Sequence, residues 1–307
     1  MAARLASYGV SVALTDKDVQ SINDAIQWMR TSHGLAERPL TVSHPITPPS
    51  TADASSICSD YSTSSDSSSA LPDENSPEWL HRVTQFGVIH QLTAEYVHSW
   101  QPELTIECVP EQLSLKKRVL RKICELVPDE CIITSNTSYF VPSLLAQFVR
   151  RSERFAHLHF HVPVHRQSVA DIAGCSETSA EVLVRLVELC ERIEQHPLVL
   201  RRGHPGYIFN WLLQSLLKAA LELASLDVAD VEDIDRSWKS VTGMPVGPFG
   251  MMDQIGLDVI DQVLSNSRWA EPLKSDTQQL LSVLRPLIQA GKLGTKSGAG
   301  FYEYEER

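Results

Sequence analysis

The run Val10-Ser-Val-Ala-Leu-Thr15 is rich in strand-forming residues and closes on Asp16, after which Val19, Ile22, Ile26 and Met29 recur at helical spacing. That pattern predicts a strand followed by a helix. Further along, 104–109 predicts a strand, 113–127 a helix and 131–134 a strand. A short helix is expected over 142–149, opened by Pro142 at its favoured first position, and another strand over 155–161. Short apolar strands alternating with amphipathic helices predict a parallel, doubly wound sheet. Beyond 198–200 the pattern changes. Helices are expected over 207–226, 231–241, 249–264 and 277–290 with no strand between them, and a Gly-rich tail over 294–300 closes the chain. A domain boundary is expected near 202–205, with a helical bundle behind it, and no internal repeat is seen.

Composition changes this picture in one place. Between Ser50 and Ser69 half of the twenty positions are serine, flanked by Pro45, Pro48, Pro49 and Pro72. Such a stretch cannot bury enough apolar surface to offset its ordering entropy, so 43–76 is expected to be a disordered insertion. The expected division is therefore 1–42 and 77–203 for the α/β domain and 204–307 for the helical one.

A net charge of −11 argues against a phosphate-tracking nucleic-acid partner. Apolar residues at 43% and charged residues at 21% make a globular balance. No stretch is apolar for long enough to span a membrane, and no basic-then-apolar leader is seen at the N-terminus, so a cytoplasmic protein without membrane partners is expected. Cys58, Cys108, Cys124, Cys131, Cys175 and Cys190 are scattered without CxxC pairing and read as reduced thiols.

Several residues carry candidate chemistry. An acidic residue ending a strand, as Asp16 does, suits the ribose hydroxyls of a dinucleotide, although a loop-capping aspartate has the same spacing. The preceding strand and Gly-rich turn of such a site have no counterpart, because 2–6 already reads as the latter part of the first helix; the chain is expected to be N-terminally incomplete. His157, His159 and His161 alternate, so their side chains share one side of the sheet. No carboxylate or cysteine stands at comparable spacing, and no metal is expected. A histidine at the C-terminal end of a parallel strand suits general acid–base work, and Asp171, after Pro163 breaks the chain, could return to orient it or form a surface ion pair. Ser135-Asn-Thr-Ser138 follows a strand, where polar groups face a ligand crevice, and equally suits a turn into the next helix. Asn210 falls in the first turn of a helix opened by Pro205-Gly206, a position that is solvent-facing in most helices.

Taken together, these stretches resemble the L-3-hydroxyacyl-CoA dehydrogenase family. The carriers are Ile106-Glu-Cys-Val-Pro-Glu111, Ser135-Asn-Thr-Ser138, Leu158-His-Phe160 with Pro163, Pro205-Gly-Tyr-Ile-Phe-Asn210, Pro245-Val-Gly-Pro-Phe249, Asp253 with Gly256-Leu-Asp258, and Gly298-Ala-Gly-Phe-Tyr302. The fold implied is an α/β Rossmann-like doubly wound sheet, its first strand missing, followed by an all-helical C-terminal domain for substrate binding and dimerisation. The resemblance implies NAD as cofactor and His159 as the base that takes the proton of a substrate 3-hydroxyl. It implies Asp171 as the partner carboxylate where the family has Glu, Ser138 against the substrate oxygen and cofactor, and Asn210 as the active-site Asn. Asp16 would bind the cofactor ribose, and Glu107, Glu111 and Lys296 would line the cofactor cleft. An acyl substrate, CoA-linked, and a homodimer are the implied partners, with fatty acid metabolism as the setting. Departures exist: a family Lys falls on Gln112, the family Asn after the catalytic His falls on Val162, and the Ser-rich insertion replaces part of the CoA-binding region. They favour, as an alternative, a non-CoA 3-hydroxy-acid dehydrogenase of the same superfamily, and the absent Gly-rich turn favours, as another, a non-catalytic scaffold.

Overall fold

The computed structural model describes residues 1–31, 83–162, 164, 169–265 and 276–304; the expected disordered insertion at 43–76 lies outside the described residues. The chain divides into two compact units, Met1–Pro205 and Gly206–Arg307.

In the first unit, α1 (Ala2–Ser7), β1 (Val12–Asp16), α2 (Val19–Thr31) and β2 (Val83–Val88) are followed by α3 (Ala94–Trp100), β3 (Leu104–Glu107), α4 (Leu113–Leu126) and β4 (Ile132–Ser135). Then come α5 (Pro142–Ala146), β5 (Phe155–Phe160), β6 (Val169–Gly174), α6 (Ala180–Arg192) and β7 (His196–Leu200). The described strands form a parallel pair, β1-β2, and a five-stranded sheet in the order β3-β4-β5-β6-β7. Every residue of β4 and β5 is buried, which is why both read as unbroken strand-forming runs. Not anticipated above are β2, α3, β6 and α6. The last has a signal of its own: Ser179 caps it by accepting the Val182 N–H at 3.3 Å, and Val182, Leu186 and Cys190 recur every fourth residue on its buried face.

One pairing corrects the expectation of a wholly parallel sheet. β5 and β6 run antiparallel; the eight residues between them are too few for the crossover that a parallel pair needs. The register sets Leu158 opposite Ile172 and His159 opposite Asp171. Side chains alternate between faces, so Leu158, Phe160, Ala170 and Ile172 enter the core that Leu186 and Ile193 close, while His159 and Asp171 share the opposite face.

The second unit holds α7 (Phe209–Ser225), α8 (Val231–Thr242), α9 (Pro248–Ile255), α10 (Leu257–Ser265) and α11 (Thr277–Gln289) around a core of Leu217, Leu221, Phe249, Met252 and Leu281. The single helix expected over 249–264 is two. Gly256 adopts φ of 104°, outside the range a helix allows, and splits it. Two buried carboxylates organise this unit. Asp235 accepts the N–H groups of Phe249 and Gly250 at 2.8 and 3.0 Å, which caps α9. Asp253 accepts those of Phe301 and Tyr302 at 2.9 and 3.0 Å, pinning the Gly-rich tail; a Cβ on Gly300 would stand 2.0 Å from its Oδ1. The motif residues Asp253 and Gly300 thus have a purely architectural reason in this sequence. No described helix is long and apolar enough to cross a membrane.

Candidate active site

The strand ends of β3, β4 and β5 carry a connected set of polar side chains. At its base, Glu107 ends β3 with a carboxylate fully out of solvent. It accepts Lys116 Nζ at 3.0 Å, the Val109 N–H at 2.6 Å and the Ser135 hydroxyl at 2.6 Å. Lys116 occupies the buried stripe of α4 with Leu120 and Ile123, so a charge stands where the helical pattern wants an apolar residue. A buried charge survives only when paired and hydrogen-bonded, and this one has Glu107, the Val109 carbonyl at 3.0 Å and Glu111 at 3.4 Å. Sequence reasoning missed Lys116; the signal was a lysine inside an otherwise apolar i, i+4, i+7 stripe.

Glu111 carries this network to the loop after β4. One of its oxygens accepts the Thr137 hydroxyl and the N–H groups of Tyr139 and Phe140 at 3.2 and 3.3 Å. The Phe160 N–H donates to Asn136 Oδ1 at 2.9 Å, which ties the same loop to the end of β5. Ser138, held between these anchors, is exposed, and its hydroxyl lies 3.1 Å from His159 Nε2.

His159 in turn places Nδ1 3.0 Å from Asp171 Oδ2, with both side chains buried. Burial by itself would raise the Asp171 carboxyl, but hydrogen bonds from His159 and His161 outweigh it and hold the group below the ordinary aspartate value. Asp171 is therefore an ionised acceptor. An ionised carboxylate only accepts, so Nδ1 of His159 carries the hydrogen and Nε2 is the basic nitrogen, turned toward Ser138. His161, which no sequence argument separated from its neighbours, brings Nε2 to 2.9 Å from the same oxygen, and its ring stands edge-on to that of His159 at 4.8 Å. His157, further down the strand, is fully buried; burial, with the charges of Lys116 and His159, pushes it down to about 3, so it stays neutral.

Of the residues singled out in the sequence, His159, Asp171 and Ser138 come together, with Glu107 and Glu111 in the network beneath them. Glu107 is consumed by Lys116 and the strand ends and presents no charge outward. Asp16 ends β1 half-buried, and its Oδ1 accepts the Lys17 N–H at 2.6 Å. Asn210 and Lys296 belong to the second unit. Asn210 is half-buried in the first turn of α7, and Lys296 Nζ is held by Asp258 Oδ1 at 2.5 Å.

A buried imidazole–carboxylate pair beside an exposed hydroxyl, at the strand ends of a doubly wound fold, is an arrangement suited to general acid–base chemistry. Comparison with known proteins makes this specific. Residues 78–203 match the model for the 3-hydroxyacyl-CoA dehydrogenase NAD binding domain, and residues 206–304 match the C-terminal domain of the same family. The mitochondrial hydroxyacyl-coenzyme A dehydrogenase of Mus musculus is 34% identical over 212 residues, covering 69% of this chain and 66% of that protein. Among solved structures, a diketoreductase superposes with a TM-score of 0.75 at 27% identity, over 99% of this chain and 93% of that one. The 3-hydroxybutyryl-CoA dehydrogenase of Escherichia coli gives 0.72 at 26% identity, over 100% of this chain and 57% of that one. The chain belongs to the 3-hydroxyacyl-CoA dehydrogenase family. It spans 66% of the length of the mouse relative.

Proposed function

We propose that this protein is an NAD-dependent oxidoreductase that interconverts 3-hydroxyacyl and 3-ketoacyl groups carried as CoA thioesters, within fatty acid metabolism. The observation that carries the reading is the buried His159–Asp171 pair, 3.0 Å apart, with Ser138 on the far nitrogen of the imidazole. In the oxidising direction His159 Nε2 takes the proton of the 3-hydroxyl while Ser138 holds the same oxygen. Asp171 keeps the imidazole in the required tautomer and stabilises the imidazolium that forms. In reduction the proton returns by the same path. NAD supplies the hydride acceptor or donor. Asp16 would hold such a cofactor, since a partly accessible carboxylate at the end of β1 suits ribose hydroxyls, and the network from Lys116 to Glu111 holds the loop that presents Ser138.

The test is oxidation of NADH by acetoacetyl-CoA, followed by absorbance. The wild-type chain should turn over, and His159→Gln should lose about 10²-fold or more in kcat with NADH affinity nearly unchanged. Equal turnover in a folded His159→Gln would remove His159 from the chemistry. A second reading, a dehydrogenase or reductase of 3-hydroxy acids or dicarbonyl compounds without CoA, is favoured by the likeness to the diketoreductase. Faster reduction of free diketones than of acetoacetyl-CoA would select it.

A homodimer through the helical unit is part of the proposal. It is supported by apolar side chains that unit leaves exposed, among them Leu212, Leu226 and Val241. A cytosolic location is proposed as well. The five described cysteines are free thiols, which suits a reducing compartment.

A further inference from the structure

A metal is unexpected from the sequence because the alternating histidines have no carboxylate at comparable spacing along the chain. The antiparallel return of β6 supplies one. His159 Nδ1 and His161 Nε2 lie 3.0 and 2.9 Å from Asp171 Oδ2, and the three ligand atoms all stand within 4.8 Å of one another. The second carboxylate oxygen, Oδ1, is buried and accepts no hydrogen bond among the described residues. Two imidazoles and one carboxylate form the donor set that holds zinc in open, three-ligand sites and iron(II) in facial triads. Here two ligands come from alternate residues of one strand and the third from its hydrogen-bonded neighbour, so paired backbones fix the spacing. A tetrahedral set at about 2.0–2.2 Å from the ion has its ligand atoms roughly 3.3 Å apart; the two nitrogen–oxygen distances, 3.0 and 2.9 Å, are already near that spacing, and no pair in the set exceeds 4.8 Å. His161 keeps 13% of its side chain accessible beside exposed Val162, which gives an ion a way in.

We propose that His159, His161 and Asp171 form a site for a divalent transition metal, with Zn2+ suited best by these donors, and that metal bound there stops the acid–base work of His159. Binding consumes no net proton. The hydrogen on His159 Nδ1 moves to Nε2, where the Ser138 oxygen at 3.1 Å can accept it, and the hydrogen on His161 Nε2 moves to Nδ1. His159 then has no basic nitrogen facing the substrate. Metal and turnover need opposite tautomers of one ring, so they exclude each other. The binding stands on geometry alone, whereas the inhibition rests on the reading of His159 as the base.

The experiment titrates the tag-free full chain with ZnCl2 by calorimetry, with X-ray absorption at the zinc edge on the product. One zinc per chain with nitrogen and oxygen ligands at about 2.0–2.2 Å is expected, together with at least a ~100-fold loss of affinity in His161→Phe and in Asp171→Asn. Circular dichroism establishes that each variant is folded, and His161→Gln replaces His161→Phe if the latter is not. Zinc should abolish NADH oxidation by acetoacetyl-CoA, and EDTA should restore it. Equal zinc affinity in wild type and the folded His161 variant would overturn the site. Binding that leaves turnover intact would overturn the inhibition alone, while the role of His159 is judged separately by the metal-free His159→Gln comparison.

Discussion

Asp171 sits directly across the strand pair from His159, and that placement decides how the shorter acid can serve where the family carries Glu. Antiparallel partners on one face stand close enough for Asp to reach an imidazole, and the observed 3.0 Å shows that no extra methylene is needed. Asp171→Asn keeps the size and removes the charge, so kcat should fall by about 10²-fold or more while the KM for NADH holds, read from initial rates. His157 makes a different statement at the same scale. Its folded value is near 3 against 6.5 when exposed, so between those values the unfolded chain binds the extra proton. Stability is therefore complete above the unfolded value and falls as pH drops, by up to ~1.4 kcal/mol per pH unit in that window. Urea melts from about pH 7 to about pH 4 should show this slope, and His157→Phe should flatten it. An unchanged slope in that variant would show that His157 is not the group responsible. Asp171 adds to acid sensitivity lower down, since its depressed carboxyl contributes stability above the ordinary 3.8 that is lost as pH falls through the folded value.

Between elements, the tie of β3, β4 and α4 rests on one buried ion pair. Lys116→Met leaves Glu107 charged and buried without its counter-ion and should cost about 3–5 kcal/mol. Adding Glu107→Gln to it should recover at least ~1 kcal/mol, because an amide tolerates burial beside Ser135 and the Val109 N–H better than a lone carboxylate does. Denaturant midpoints of the two single variants and the double one measure the coupling. The break between α9 and α10 offers a backbone test. At φ of 104° a side chain is strained, and a Cβ on Gly256 would also meet Asp258 Oδ1 at 3.0 Å and Lys296 Nζ at 3.1 Å. Gly256→Ala should therefore lower stability by about 1–3 kcal/mol in thermal melts. These elements were unevenly legible in the sequence. Strands β3, β4 and β5 were visible because β-branched and aromatic residues such as Ile106, Ile132, Ile133 and Phe155 recur along them at strand spacing. Gly256 passed as one more helical position, because a glycine's backbone angle leaves no mark in hydrophobic periodicity. Lys116 left a mark in the helical stripe, but its counter-ion did not: Glu107, nine residues back, becomes its neighbour only when β3 and α4 pack.

For the molecule as a whole, the second unit encloses its own core and its own buried carboxylates. Residues 206–307 expressed alone should give a helical circular dichroism spectrum with a cooperative melt, whereas a coil spectrum would show that its core depends on the rest of the chain. What the sequence alone determined was the alternation of strands and helices giving way to helices, the histidine at the end of a buried strand, and the family its motifs resemble. Each of these is local: strand and helix periodicity and short motifs are read within a dozen residues. What only the tertiary structure decided was the company each group keeps. The reversal after His161 sets Asp171 against two imidazoles at once, α4 carries Lys116 onto Glu107, and Glu111 reaches the loop that presents Ser138. Proton affinities and ligand geometry depend on distances of a few ångströms between residues far apart in the chain. Such distances exist only once the sheet has formed and closed around them.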